Sequence, residues 1–128
     1  KAGEVTPTIT GPGTVSIELG NASLTSADYP TGPEDGSGTL IAGGREWRFR
    51  HVNVGNPQCV IEVDAKLESL EIAAFGAQIE HHELFPNRTN VSFIRVDGSD
   101  VRARIFERGV GETLASGTGA AGAAVAAH

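Results

Sequence analysis

A turn of small residues that leads into a helix is the feature of this sequence best suited to hold an anion. Segment 117–122 reads Gly-Thr-Gly-Ala-Ala-Gly and satisfies G-x-G-x-x-G. A dinucleotide fold needs a preceding strand and an acidic residue about 20 positions later, whereas only six residues follow Gly122. Free N–H groups, expected at residues 117–119, and the positive end of the helix dipole attract anions. The hydroxyls of Ser116 and Thr118 favour an anion site over a helix start that is merely tightly packed.

Three other polar groups could take part in chemistry, and each has a plainer structural interpretation. Segment 55–58, Gly-Asn-Pro-Gln, lies between two strand candidates, where an ordinary turn is favoured. Segment 107–112, Glu-Arg-Gly-Val-Gly-Glu, places charges in a loop, where they are usually solvated. The run 81–83, His-His-Glu, has neighbouring side chains that point apart, which favours a surface helix end over a metal site.

Composition excludes several classes of protein. The 128 residues carry 10 basic and 16 acidic side chains, a net charge of −6, which argues against unaided nucleic-acid binding and against a polybasic membrane patch. The single cysteine, Cys59, excludes an internal disulfide and a cysteine cluster for zinc. Its apolar neighbours Val60 and Ile61 indicate a buried thiol rather than a reactive one. No apolar run is long enough to span a membrane.

Short β-rich runs separated by glycine must position these groups. Strands are expected at 14–19, 45–54, 59–63, 91–96 and 101–106. Between the last two, Asp97-Gly98-Ser99-Asp100 predicts a hairpin turn with glycine at positive φ. Residues 20–44, rich in Gly, Pro, Ser and Asp, are expected to form a long connection of turns.

Two helices complete the predicted α+β class. The first is expected over 67–82, with Gly76 as an alternative, earlier end. The second begins after Ser116 and consists almost entirely of Ala, Gly and Val. Because such a helix has no polar face, we expect it to be enclosed on all sides by curved strands wrapped around it.

The two ends of the chain suggest part of a larger protein. The chain starts at Lys1 and contains no methionine, so translation is not expected to start there. The last helix, 116–128, stops on Ala-Val-Ala-Ala-His without a glycine or asparagine cap. No signal peptide opens the chain. We expect residues 1–128 to form a single domain.

Four motifs follow one another along the chain. They are 54–60 (VGNPQCV), 79–86 (IEHHELFP), 89–93 (TNVSF) and 107–120 (ERGVGETLASGTGA). In this order they resemble the C-terminal half of the diaminopimelate epimerase family, and the resemblance extends from about Val15 onward. That family has two pseudosymmetric lobes, each with strands around a central helix. The resemblance implies that residues 1–128 form most of the second lobe, without the N-terminal lobe and the closing strands.

The same resemblance implies a cytoplasmic, cofactor-independent epimerase that inverts a stereocentre of diaminopimelate, on the route to lysine and peptidoglycan. In that family one cysteine thiolate removes the α-proton and a thiol on the opposite face returns one, each at a helix start that lowers the pKa of the thiol. The implied partners are an amino acid or dicarboxylate substrate and the N-terminal lobe, with a homodimer left open; neither nucleic acid nor membrane is expected. The family's substrate contacts fall on Asn56, Asn90, Glu107, Arg108, Gly117 and Thr118.

Two positions depart from the family pattern at the catalytic centre. The catalytic cysteine falls on Ser116, and the histidine that follows Asn-Pro in the family falls on Gln58. A serine becomes a base or nucleophile only beside another base, and Glu107 is the candidate that remains. Three hypotheses stay open: an epimerase lobe completed by the other lobe, a lobe that binds an amino acid or carboxylate without two-thiol catalysis, and an isomerase that uses a carboxylate such as Glu107.

Overall fold

The computed structural model describes residues 4–64 and 66–128, so the expectation for Lys1 lies outside the described residues. Within those residues the chain forms eight strands, two α-helices and one short 3-10 helix, Leu67–Ser69. The strands are β1 (Pro7–Gly11), β2 (Thr14–Ile17), β3 (Ser37–Ala42), β4 (Arg45–Asn53), β5 (Pro57–Glu62), β6 (Asn90–Asp97), β7 (Asp100–Glu107) and β8 (Gly111–Thr113). The helices are α1 (Ile72–Glu80) and α2 (Gly117–Ala127), and the α+β class is confirmed.

A six-stranded sheet with the order β3-β4-β5-β6-β7-β8 organises most of these elements. Every neighbouring pair is antiparallel except β5 and β6, which run parallel. Because a parallel pair cannot be joined by a tight hairpin, the chain passes from β5 to β6 through the 3-10 helix and α1. β1 and β2 form a separate two-stranded antiparallel sheet.

The six-stranded sheet carries one helix on each face. Successive side chains of a strand point to opposite faces, so on β5 Cys59 and Ile61 join the core beneath α1, whereas Val60 joins the cluster beneath α2. The core on the α1 side is large and aromatic, with the rings of Trp47 and Phe93 5.5 Å apart and edge to face. The cluster on the α2 side is small, because its helix offers little more than methyl groups.

The strands at the hairpin of β6 and β7 are confirmed, and Gly98 in their turn has φ +63°. The expectation of a long connection of turns over 20–44 is wrong at its end, because Ser37–Ala42 forms β3 and pairs with β4. Ser37 and Gly38 have low strand propensity, so the local sequence does not indicate a strand here. In the structure, Leu40 and Ala42 of this strand are buried. The short strands β1 and β8 were not predicted either.

The first predicted helix, 67–82, is divided in the structure. Its first turn is the 3-10 helix, Leu70 adopts an extended conformation with φ −75° and ψ 132°, and α1 begins only at Ile72. Gly76 does not end the helix; it is buried inside α1. A Cβ at Gly76 would lie 2.5 Å from the ring of Phe106, so this glycine lets α1 approach the sheet.

The second predicted helix is confirmed, but its enclosure on all sides is not. Among the residues of α2, Gly119, Gly122 and Ala123 are buried, whereas Ala120 and Ala124 are exposed. The described strands cover one side of α2, since β4, β5, β6 and β7 all contact it from the same sheet. The absence of a polar face in the sequence thus predicted that α2 packs closely against the sheet. It did not indicate how many sides of the helix are covered by other elements.

His51 ties the segment that precedes β3 to strand β4. Its ring is fully buried, and Nε2 lies 2.8 Å from the hydroxyl of Ser26. Nδ1 is buried without a partner among the described residues. Burial lowers the pKa of His51 below its ordinary value of 6.5, and the carboxylate of Asp28 opposes that shift. The folded protein therefore favours the neutral ring.

We expect stability to fall as the pH drops below about 6.5. There the unfolded chain takes up a proton on His51 that the folded chain resists, which favours unfolding by up to about 1.4 kcal/mol for each unit of pKa difference. Urea unfolding at pH 7.5 and 5.5 measures this loss, and His51→Gln should reduce it. His81→Gln, at an exposed histidine, is the matched control. An equal loss in His51→Gln would contradict the assignment.

Candidate functional site

One edge of the six-stranded sheet brings together segments that are far apart in the sequence. In the parallel register of β5 and β6, Gln58 pairs with Asn90, and residues paired in this way project from the same face of a sheet. The antiparallel register of β6 and β7 pairs Val91 with Phe106, so Glu107 follows beside Asn90. Three of the motifs therefore meet on the face that α2 covers.

Helix α2 starts at this edge and is capped by Ser116. The backbone of Ser116 is extended, with φ −148°, and its Oγ accepts a hydrogen bond of 3.1 Å from the N–H of Gly119. The expectation of three free N–H groups is thus wrong at Gly119, because a serine N-cap satisfies one of them. Among the described residues, the N–H groups of Gly117 and Thr118 have no hydrogen-bond partner, and they form the positive end of the helix dipole.

A chain of side-chain hydrogen bonds connects β5 to α2. Gln58 is fully buried and its Nε2 donates to Oδ1 of Asn56 at 2.7 Å. Asn56 in turn donates from Nδ2 to Oγ1 of Thr118 at 3.2 Å. A Cβ at Gly122 would lie 2.8 Å from Cγ of Gln58, so that glycine makes room for the glutamine beneath the helix. These three polar side chains form one unit at the entry to α2.

Glu107, the last residue of β7, and Arg108, which follows it, are each held by hydrogen bonds. Oδ1 of Asn90 accepts from the N–H of Arg108 at 2.7 Å. The guanidinium of Arg108 donates to the carbonyl oxygen of Asn87 at 3.0 Å. Glu107 accepts from the hydroxyl of Thr113 at 3.1 Å. The structure thus connects Asn90 with Arg108, and separately Gln58 with Asn56 and Thr118.

Glu80 is a buried residue of this region to which the sequence analysis assigned no part. Its carboxylate ends α1, accepts from the N–H of Gly109 at 2.7 Å and lies 3.3 Å from Nη1 of Arg88. A buried carboxylate normally needs such partners. It anchors the loop of Glu107 and Arg108 to the back of the sheet. The signal available in the sequence was an acidic residue directly after apolar Ile79, inside the helix predicted over 67–82.

Ser116 and Glu107 do not form the pair that a carboxylate-activated serine would need. Among the described residues, the hydroxyl of Ser116 bonds only to Gly119, and Glu107 bonds to Thr113. Gln58, at the other candidate position, bonds to Asn56 and carries no group that takes up a proton near neutral pH. With no base beside it, Ser116 keeps its proton and acts as the N-cap of α2.

The remaining candidates for chemistry are structural. Cys59 is fully buried, and desolvation raises the pKa of its thiol far above the ordinary value, so the thiolate is not formed at neutral pH. Nδ1 of His81 lies 3.0 Å from the carbonyl oxygen of Ala77, and Nδ1 of His82 accepts from the N–H of Leu84. Within residues 4–64 and 66–128 no group of three potential ligands could hold a metal ion. None of the described helices is long and apolar enough to cross a membrane.

A cavity of about 170 Å³ opens beside the start of α2. Asn56 and Thr118 contribute its polar wall next to the helix, and Val54 contributes to its apolar wall. Glu4 and Glu18 each add a carboxylate to its lining. This volume accommodates part of an amino acid rather than a nucleotide. The cavity is therefore the place where a small zwitterion could meet the polar unit of Asn56 and Thr118.

Comparison with known proteins agrees with this arrangement. Residues 50–128 match the family model described as diaminopimelate epimerase. Over 98% of its length the chain is 40% and 42% identical to proteins named diaminopimelate epimerase from two Synechococcus strains, and 39% identical to the one from Thermosynechococcus vestitus. The alignments cover 46–47% of these relatives, so the chain spans about half of their length.

The cap at Ser116 gives a direct test of how α2 starts. Ser116→Ala removes the acceptor of the Gly119 N–H and should lower the free energy of unfolding by about 1 kcal/mol. Ser116→Asp keeps an acceptor at the same place and should retain most of that stability. Urea unfolding followed by circular dichroism compares the three proteins. An alanine variant as stable as the wild type would show that the cap contributes nothing.

Proposed function

The chain belongs to the diaminopimelate epimerase family, and we propose that it forms the half of such a protein that binds the substrate's carboxylate at the start of α2. The full reaction would be the cofactor-independent interconversion of LL- and meso-diaminopimelate in the cytoplasm, on the route to lysine and peptidoglycan precursors. The chain would act together with a second lobe, and a homodimer of the assembled protein remains part of the proposal.

The start of α2 supports this proposal more than any other feature. The N–H groups of Gly117 and Thr118 have no partner among the described residues, and the cavity beside them is lined by Asn56 and Thr118. A carboxylate suits such a helix start because it accepts hydrogen bonds from free N–H groups and is stabilised by the dipole. Asn56, Asn90, Glu107, Arg108, Gly117 and Thr118 are the proposed substrate contacts.

Epimerisation needs more than this binding site. The bond between the stereocentre and its hydrogen breaks, the electron pair stays on the carbon, and a base on one face takes the proton while an acid on the opposite face delivers another. The described residues contain no thiolate for either step, because Cys59 is buried with a raised pKa and position 116 is a serine without a base beside it. The chain would bind and orient the substrate, and its own acid–base capacity is low.

The absence of a thiolate among the described residues favours one alternative, a lobe that binds an amino acid or another carboxylate and has lost two-thiol catalysis. The carboxylate-based isomerase is less well supported, since Glu107 bonds to Thr113 and not to Ser116. The binding lobe and the carboxylate-based isomerase require the same anion site. They differ in whether any group of this chain exchanges a proton with the bound ligand.

We expect meso-diaminopimelate to bind to the chain without exchange of its α-proton. Binding is measured by shifts of the backbone amide signals of Gly117 and Thr118 in NMR titrations, and exchange by loss of the α-proton signal in deuterated water at neutral pH. Thr118→Val should weaken binding several-fold, and Thr8→Val, in the exposed β1 strand, is the matched control. Exchange above background that disappears in Ser116→Ala would overturn the claim of low acid–base capacity, and failure to bind would overturn the site itself.

A second prediction concerns the protein extended by the second lobe, provided that lobe carries its own catalytic cysteine. Ser116→Cys should then create or increase stereoinversion, because the helix start lowers the pKa of a thiol. Ser116→Cys combined with Gln58→His should exceed either single change, since residues of one site are coupled. Initial rates for the four proteins decide the point. Variants that bind diaminopimelate and stay inactive would show that the serine belongs to a different chemistry.

A further inference from the structure

The hydrogen bonds from Gln58 to Thr118 run in one direction. Gln58 donates to Asn56, and Asn56 donates to the hydroxyl oxygen of Thr118. A primary amide has a donor end and an acceptor end, so the group that Gln58 presents determines which end of Asn56 points to Thr118. The direction of both hydrogen bonds is therefore set by Gln58, the buried residue from which they start.

The direction decides what Thr118 can offer to a ligand. Because its oxygen already accepts from Asn56, its own proton is free, and no acceptor for that proton occurs among the described residues. If the two hydrogen bonds ran in the opposite direction, Oδ1 of Asn56 would accept the proton of Thr118, and the hydroxyl would present only lone pairs to the cavity. In the observed direction the Thr118 side chain is a donor, as are the N–H groups of Gly117 and Thr118.

A second observation concerns Gln58, the buried residue from which the two hydrogen bonds start. Oε1 of Gln58 is buried without a hydrogen-bond partner among the described residues, although buried polar atoms are almost always paired. The side chain of Gln58 is confined beneath α2. A Cβ added at Gly122 would lie 2.8 Å from Cγ and 3.0 Å from Cβ of Gln58. Among the described residues, the Gln58 amide is therefore paired only through Nε2, as a donor to Asn56.

We propose that Gln58 is a positioning residue that makes Thr118 a hydrogen-bond donor and thereby selects a ligand carboxylate. The proposal rests on the proposed function for the identity of the ligand, while the direction of the hydrogen bonds is independent of it. An uncharged amide keeps the same direction at every pH. A titratable side chain at position 58 would instead reverse the direction when it changed its protonation state.

Gln58→Glu turns this reasoning into a pH experiment. The introduced carboxyl donates when protonated and only accepts when ionised, so the direction holds at low pH and reverses at high pH. The dissociation constant of meso-diaminopimelate, measured by NMR titration of the chain at pH 5.5 and 8, should differ less than twofold in the wild type. In Gln58→Glu it should rise about tenfold or more between those values.

Repulsion between the introduced charge and the ligand would give a similar trend, and Thr118→Val separates the two causes. If Gln58 acts through Thr118, Gln58→Glu has no further effect on affinity once the hydroxyl is gone, so the double variant binds like Thr118→Val at both pH values. A double variant that still loses about tenfold at pH 8 would overturn the proposal. Thr118→Ser keeps the hydroxyl and should restore the pH dependence. If Gln58→Glu does not fold, Gln58→Met in the same backgrounds tests the same coupling without a charge.

A third measurement needs no ligand. In the free chain, the side-chain N–H of Gln58 should show a scalar coupling across the hydrogen bond to the side-chain carbonyl carbon of Asn56. A coupling from the side-chain N–H of Asn56 to the carbonyl carbon of Gln58 would show the opposite direction and overturn the proposal. If the expected coupling is present and diaminopimelate does not bind to the wild type, the positioning by Gln58 stands and the proposed function fails.

Discussion

The parallel pairing of β5 with β6 is the constraint from which the candidate site follows. It sets Gln58 beside Asn90 in the ladder, although they are 32 positions apart in the sequence, and it turns both side chains toward the face that α2 covers. It also forces a crossover between the two strands, and that crossover contains α1. The end of α1 supplies Glu80, which holds the N–H of Gly109 from behind the sheet. One register thus arranges the floor of the site and the support of its loop.

Local patterns predicted the parts of this arrangement that depend on neighbours in the sequence. The alternation of β6 and β7, their glycine turn and the start of α2 at Ser116 all follow from periods and caps that act over a few residues. The sequence analysis missed β3 because its first residues have weak strand propensity and only pairing with β4 stabilises them. It also missed the part played by Glu80, since one partner of that carboxylate, the N–H of Gly109, lies 29 positions away. Propensity cannot supply such distances.

Position 116 illustrates how one side chain can suit structure and chemistry differently. Serine is a good N-cap because its oxygen accepts from the third helical N–H, and this is what Ser116 does for Gly119. Its hydroxyl, however, has no base beside it among the described residues and stays protonated. A thiol would be the more acidic group at a helix start. The exchange of sulfur for oxygen therefore favours a well-formed helix and an intact binding turn over proton transfer.

The imbalance between the two faces of the sheet has a consequence for how the protein comes apart. Under α1 lies an aromatic core with Trp47 and Phe93, whereas α2 is held mainly by Val60, Ile94 and its own alanines. Segments with few buried apolar contacts open at lower free energy than the rest of a protein. α2 would then detach as a separate cooperative unit while the sheet and α1 persist. A carboxylate bound at its N-terminus would hold that unit in place by mass action, so ligand would order the very element that receives it.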